Sequence, residues 1–396
     1  MRILLVHNFY RDRTGEEIYL DSLAKLLRSK GHKVFIWSKD NREIRNSLTR
    51  KIKIAVGMFW NKSTEKELSG VIKRFKPDIA HFNNIFPQIT PTAYYVCRRY
   101  KVPIAQTIHS FRFMFPKSIL IRRGEICPNC LDKRLIYPTF LHRCYNQSLA
   151  YTFFYSLSHA LHYHLGSFNL IDTFIFPSKF VRDYYLRNSN IFTQNTKVIP
   201  NFTNLKPHKL NLKEKEDYFL YVGLLSHKKG ILQLLDIFSS LPEFRLVVIG
   251  DGHLRNEITE YNKYENIEIK GRLPQKEVFA YMRKALFTIL PSTWFEVMPL
   301  VLIESFANGT PVIVPKIGPF IDLVKDGKTG IFFQPRDFSD LKAIIEKIGS
   351  KRLNLSMRMA PLVMKEYQKY TADNYYTQLL KVYSKPSRNP RVSESN

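Results

Sequence analysis

Unbroken apolar runs alternating with helical patterns restrict the fold of this chain more than any other feature. Ile3 to Val6 shows no polar alternation, as in a strand covered on both faces of a parallel sheet. A polar loop, Asn8 to Gly15, follows, then helical spacing from Ile18 to Arg28, a stop at Gly31 and a second run, Val34 to Trp37. Strand, loop, helix, strand is a βαβ unit. Further strands are expected at Pro77 to Phe82, Val102 to Ile108, Thr173 to Ser178 and Val198 to Asn201. The second half repeats the scheme at Phe219 to Gly223, Arg245 to Gly252, Asn266 to Leu273, Phe287 to Leu290 and Pro311 to Pro315.

The most informative unit is Pro291 to Pro315, PSTWFEVMPLVLIESFANGTPVIVP. Pro299 suits a first helical position, where no amide bond is lost. Gly309 suits the left-handed stop. Leu300, Leu302, Ile303, Phe306 and Ala307 cover one side, as on a helix packed against a sheet. Glu304 stands at the edge of that side, and Glu296 lies in the preceding loop. The free amides near Met298, Pro299 and Leu300 would favour an anion, and the two carboxylates would accept from hydroxyls. A sugar nucleotide carries both groups.

The 396 residues suit two domains. No run of about eighteen uncharged apolar residues occurs, so no transmembrane helix is expected. The longest candidate, Ser148 to Phe176, is interrupted by His159, His162, His164, Asn169 and Asp172. The start, MRILLVHNFY, reads as a strand rather than a signal peptide, which points to the cytoplasm. The net charge is +27, of which +19 falls in residues 1–200. Basic residues from Arg42 to Lys53 run into IAVGMFW, a combination that suits an anionic membrane surface at the inner face of the cell membrane. No helix-turn-helix, zinc-finger or RNP-type motif supports a nucleic-acid partner.

Single residues add to this. Gly15, just before the first helix, lets backbone approach a phosphate. His109 follows a strand, at the edge where α/β sheets gather ligands. Lys229, with Gly230, puts an ammonium beside helix amides, after a strand ending at Gly223. Cys127, Cys130 and Cys144, with His142, form a pattern that could hold a tetrahedral zinc or a cluster of reduced thiols.

Glu296, seven residues, Glu304 resembles the E-x7-E motif of retaining glycosyltransferases of family 4. The resemblance extends collinearly from residue 1 to about residue 380. It implies the GT-B fold, an α/β architecture of two Rossmann-like domains facing a cleft, with a C-terminal helix crossing back to the first domain. The expected divisions are an acceptor-binding domain over 1–200, a linker over 201–217 and a nucleotide-sugar-binding domain over 218–365. A crossover helix over 366–384 and a disordered tail over 385–396 complete the chain. Segment His81 to Pro116 resembles a bacterial cell-surface polysaccharide subgroup, in which the histidine matching His109 lines the donor-sugar pocket and a similar cysteine pattern occurs.

By the same resemblance, Gly223, Lys229 and Gly250 belong to the nucleotide-sugar site, and Arg272 and Leu273 lie in the loop that holds the nucleobase through its backbone. Lys229 contacts the diphosphate, Glu304 grips the ribose, and Glu296 binds donor hydroxyls or steadies charge at the ring. The family's diphosphate arginine falls at Leu224, leaving Lys228, His227 or a first-domain arginine as alternatives. The implied activity is metal-independent hexosyl transfer, with retention, from a nucleoside-diphosphate sugar to a saccharide or lipid-linked acceptor. A nucleotide-sugar epimerase and a catalytically degenerate member of a glycan-assembly complex are the alternatives. No cofactor is expected for catalysis; the zinc would be structural.

Overall fold

The computed structural model describes residues 1–10, 15–43, 48–114, 121–122, 125–127, 139, 142–144, 148–189, 195–205 and 210–384. The chain divides into two units. The first holds residues 1–120, 127–200 and 375–396; the second holds 121–126 and 201–374.

The first unit is built on a six-stranded parallel sheet. In chain order its strands are β1 (Arg2–Phe9), β2 (Lys33–Asp40), β3 (Ile79–Phe82) and β4 (Ile104–Thr107). A two-stranded hairpin, β5 (Ile121–Arg122) and β6 (Glu125–Ile126), intervenes before β7 (Thr173–Phe176) and β8 (Thr196–Val198). The spatial order is β2-β1-β3-β4-β7-β8. β8 stops short of the expected Asn201. Ile199 still donates to the Phe176 carbonyl at 2.9 Å, but Pro200 has no amide to continue the ladder. The first helix, Gly15–Ser29, buries Tyr19, Leu20, Leu23, Ala24, Leu26 and Leu27.

The last helix, Ala372–Ser384, returns to this first unit. Its tyrosines fasten it there. Tyr375 and Tyr19 meet through their hydroxyls, Tyr376 lies 2.8 Å from His32 Nε2, and Tyr383 lies 2.5 Å from His81 Nδ1.

The second unit has strands β9 (Phe219–Val222), β10 (Leu246–Ile249), β11 (Ile267–Gly271), β12 (Phe287–Ile289), β13 (Val312–Pro315) and β14 (Gly330–Phe333). All pair in parallel, in the order β11-β10-β9-β12-β13-β14. Successive side chains of a strand point to opposite faces. Phe219, Tyr221, Leu246 and Val248 join the larger core on one face, while Leu220, Val247 and Ile249 join Tyr218, Met282 and Ala285 on the other. Both faces are therefore covered, which is why the strands read as continuous apolar runs.

Two local readings are corrected. Pro299 is not the first helical residue: its ψ of 112° is extended, and the helix runs Leu300–Ala307. The missing amide costs nothing at either position. The segment 201–217 is not a free linker over its described residues. Phe202 and Thr203 are buried, Thr203 N donates to Tyr370 O at 3.3 Å, and Tyr367 donates to Leu205 O at 2.5 Å. Lys215 donates to Ala285 O and Thr310 Oγ1, both at 2.7 Å, and burial lowers its pKa to about 7. The tail 385–396 lies outside the described residues.

Candidate active site

The chain order of the second sheet creates one special edge. From β9 it moves outward through β10 and β11, then returns to the other side of β9 with β12. Ligands of open α/β sheets gather beyond the carboxyl ends of strands at such a switch point. The loops leaving β9 and β12 carry Lys229 and Glu296.

These loops meet closely. After β9 come a short turn, His227–Lys229, and Gly230 with φ +68°. A Cβ at Gly230 would lie 2.1 Å from the Pro291 carbonyl oxygen, at the end of β12. Only glycine allows that approach. The approach seats Lys229 against Glu296, Nζ to Oε1 at 2.5 Å. The same oxygen accepts from Ser292 Oγ at 2.7 Å and Trp294 Nε1 at 3.1 Å. Oε2 accepts no hydrogen bond from the described residues, so half of a well-anchored carboxylate is left for a ligand. Lys229 keeps 24% of its side chain exposed, against 9% for Glu296.

A second cation stands nearby. Lys228 Nζ is 4.7 Å from the centre of the Trp294 ring, and Lys229 Nζ is 5.7 Å from it. Leu224, at the position of the absent arginine, is 49% exposed, and His227 lies at a tilt beside His253, ring centres 5.7 Å apart. Gly223 and Gly250 close the edge between β9 and β10. A Cβ at Gly250 would fall 1.9 Å from the Gly223 oxygen.

Glu304, on Leu300–Ala307, does not touch Glu296 but faces Gln275. Burial lifts its pKa to about 7, so it titrates near neutrality. Gln275 opens the helix after β11, directly behind exposed Arg272 and half-buried Leu273. Met298 and Pro299 are buried, Leu300 partly so. Met298 Sδ accepts from Asn201 N at 3.2 Å. The positive dipole end of Leu300–Ala307 follows β12 as Lys229 follows β9, and these two strands are neighbours in the sheet.

The first sheet has its own switch point, between β1 and β3. Asn8 N donates to Asn84 O at 2.8 Å, and Asn84 Nδ2 to Asn8 O at 2.7 Å, which ties the two strand ends together. His109, just beyond β4, has Nε2 2.9 Å from Asn83 Oδ1 and its ring against Tyr19. Burial depresses its pKa to about 3, so it is a neutral imidazole at physiological pH. Gly15 is the first residue of its helix.

The structure brings Lys229, Glu296, Gly223 and Gly250 to one edge of the second unit; His109 and Gly15 belong to the first. Cys130 lies outside the described residues. Among the described residues no group of three or more His, Cys, Asp or Glu could hold a metal. Sequence reasoning missed Ser292 and Trp294, which fix Glu296. Their signal was present, in the loop positions four and two before it.

A model described as Glycosyltransferase Family 4 matches residues 13–206, and one described as Glycosyl transferases group 1 matches residues 203–361. The alpha-monoglucosyldiacylglycerol synthase of Streptococcus pneumoniae is 24% identical over 95% of this chain and 85% of its own length. Curated relatives at 29% to 32% identity match over 33% to 41% of their own lengths. Sucrose-phosphate synthase from Thermosynechococcus elongatus superposes with a TM-score of 0.70 at 16% identity, over 97% of this chain and 99% of that one. Anabaena HepE in complex with UDP gives 0.66 at 15%, over 97% and 100%. Residues 13–206 thus form a Glycosyltransferase Family 4 domain and residues 203–361 a Glycosyl transferases group 1 domain, in the two-domain α/β architecture of the GT-B fold.

Proposed function

We propose that the protein is a retaining, metal-independent hexosyltransferase that uses a nucleoside-diphosphate sugar. The observation that carries this is the Lys229–Glu296 pair at the switch point of the second sheet, with one carboxylate oxygen still open. When a glycosyl bond breaks, negative charge builds on the departing diphosphate and positive charge on the sugar ring. Lys229, Lys228 and the amides at the head of Leu300–Ala307 offset the first. Glu296 Oε2 accepts from donor hydroxyls or steadies the second, and Glu304 accepts from the ribose diol. His109, held neutral, positions the donor sugar as a hydrogen-bonding group rather than as an acid. Neither glutamate is assigned as a covalent nucleophile.

UDP bound by the Anabaena neighbour supports a uridine nucleotide as the first donor to try. The glycolipid named in the pneumococcal relative supports a saccharide or lipid-linked acceptor, and the charge of the first 200 residues supports work at the anionic inner face of the membrane. None of the described helices is long and apolar enough to cross a membrane. We also propose that Cys127, Cys130, Cys144 and His142 hold a structural zinc; metal analysis without stoichiometric zinc would remove it. The test of the main reading is thermal stabilisation by UDP-, GDP- and ADP-sugars, followed by mass spectrometry of the products. One donor class should raise the melting temperature and yield a glycosylated acceptor. An epimerised sugar without acceptor, or no donor binding, would overturn it.

A further inference from the structure

The helix Leu149–His164 in the first unit is inside out. Its buried face carries Thr152, Tyr155, Ser156, Ser158 and His162. These polar groups are satisfied inward: Ser158 donates to Met58 O at 2.5 Å, His162 Nδ1 lies 2.9 Å from Ser167 Oγ, and Ser156 Oγ lies 3.1 Å from Thr139 Oγ1. Its outward positions are Leu149, Phe153, Leu157 and Leu161, followed past the end by Leu165, each 40% to 59% exposed. They recur every four residues and form a continuous ridge on the helix surface. The helix has no Asp, Glu, Lys or Arg. A surface helix facing water shows the reverse pattern, apolar inward and charged outward.

The neighbouring segment continues this surface. Met58 and Phe59 dock on the helix, Phe59 through Phe154, and Phe154 in turn touches exposed Phe153. Val56 is 60% and Trp60 38% exposed, and Lys53 is exposed on the helix Leu48–Gly57. The sequence of that helix, LTRKIKIAVG, holds three basic residues and no acid.

We propose that the ridge Leu149–Phe153–Leu157–Leu161–Leu165 inserts into the interfacial layer of an anionic bilayer, with the basic residues beside it on lipid headgroups. This rests on the membrane-proximal reading above and names the surface that does it. Apolar residues flanked by basic ones match a headgroup layer over hydrocarbon; Glu65, which accepts from Trp60 Nε1 at 2.9 Å, is itself paired with Arg99 at 2.9 Å. A second copy is the poorer fit. A two-fold contact sets the same patch against itself, and so sets the positive flanks against each other.

The test is co-sedimentation of the full chain with phosphatidylglycerol–phosphatidylcholine vesicles and with phosphatidylcholine vesicles alone. The wild type should bind the first and hardly the second. A Phe153→Glu/Leu157→Glu double variant should lose at least tenfold in partitioning, and Lys53→Glu should lose less. Leu157→Trp should shift its emission to the blue on vesicles. Donor stabilisation of the double variant reports that it is folded and reads the glycosyltransferase assignment separately. Wild-type binding that the double variant retains would overturn the ridge and leave the membrane reading standing. No binding by wild type would overturn both. A wild-type dimer that the double variant dissociates, without vesicle binding, would assign the ridge to a second copy instead.

Discussion

The carboxyl edges of the two sheets are prepared in opposite ways. Around β3 and β4 the imidazoles are neutral and buried: His81 is held between Tyr383 and Thr107, and His109 against Asn83, while beside β1 the carboxyl of Glu17 is buried too, accepting from Tyr10 N at 3.0 Å. Burial lowers both imidazoles to about 3. Around β9 and β12 the groups are charged and partly open, with Lys228 and Lys229 on one indole and Glu296 anchored through one oxygen. A diphosphate needs fixed cations, and these lie in the second unit. The first edge offers hydrogen bonds of fixed direction, which suit hydroxyls.

The sharpest way to break this contrast is to remove a charge from the second edge. Glu296→Ala or Lys229→Ala should lower turnover by about 10²–10³-fold, the usual scale for one preorganised electrostatic group. Circular dichroism should show the fold intact. Near-wild-type turnover in either would place the chemistry elsewhere.

A smaller effect sharpens the contrast through pH. Glu304 has a folded pKa of about 7, above its ordinary 4.5, because burial disfavours its charge. The stability it contributes is therefore present below about 4.5 and is lost as pH rises to about 7. Donor affinity should move the other way, improving as the carboxylate forms. Glu304→Gln should flatten both profiles and gain on the order of 1 kcal/mol at pH 8, as partial exposure screens the penalty. Melting curves and donor titrations between pH 5 and 8 read the two slopes. If both run in the same direction, Glu304 does not meet the donor as a carboxylate.

The last test concerns the first edge. Tyr383→Phe removes the hydroxyl beside His81 Nδ1 and should cost about 1–3 kcal/mol, since a buried ring nitrogen loses its partner. Denaturant unfolding measures it, and donor binding in the second unit should not change. A loss of donor affinity would mean that the two edges are coupled more tightly than their chemistry suggests.

What the sequence revealed divides along the same physical lines. Strands covered on both faces announce themselves as apolar runs, as at Phe219–Val222 and Leu246–Ile249. Gly309, with φ +70°, ends its helix as its type suggests. Contacts between distant residues were not legible. Nothing local says that Ser292 and Trp294 share one oxygen of Glu296 with a lysine 67 positions away. The helix Leu149–His164 was read only as an interrupted membrane span. Its histidines break the hydropathy run, but which face they occupy is decided by the fold. Segment 201–217 looked like a linker because lysine is usually solvated; Lys215 instead found two oxygen acceptors.

The return of Ala372–Ser384 to the first unit has a consequence for biosynthesis. Tyr19 waits for a partner 356 residues downstream, and His81 for one 302 residues away. At roughly 5–20 residues per second, the ribosome supplies that helix tens of seconds after the first strands emerge. Until then the nascent N-terminal half lacks its closing tyrosines, and this interval is when a chaperone would have the most surface to hold.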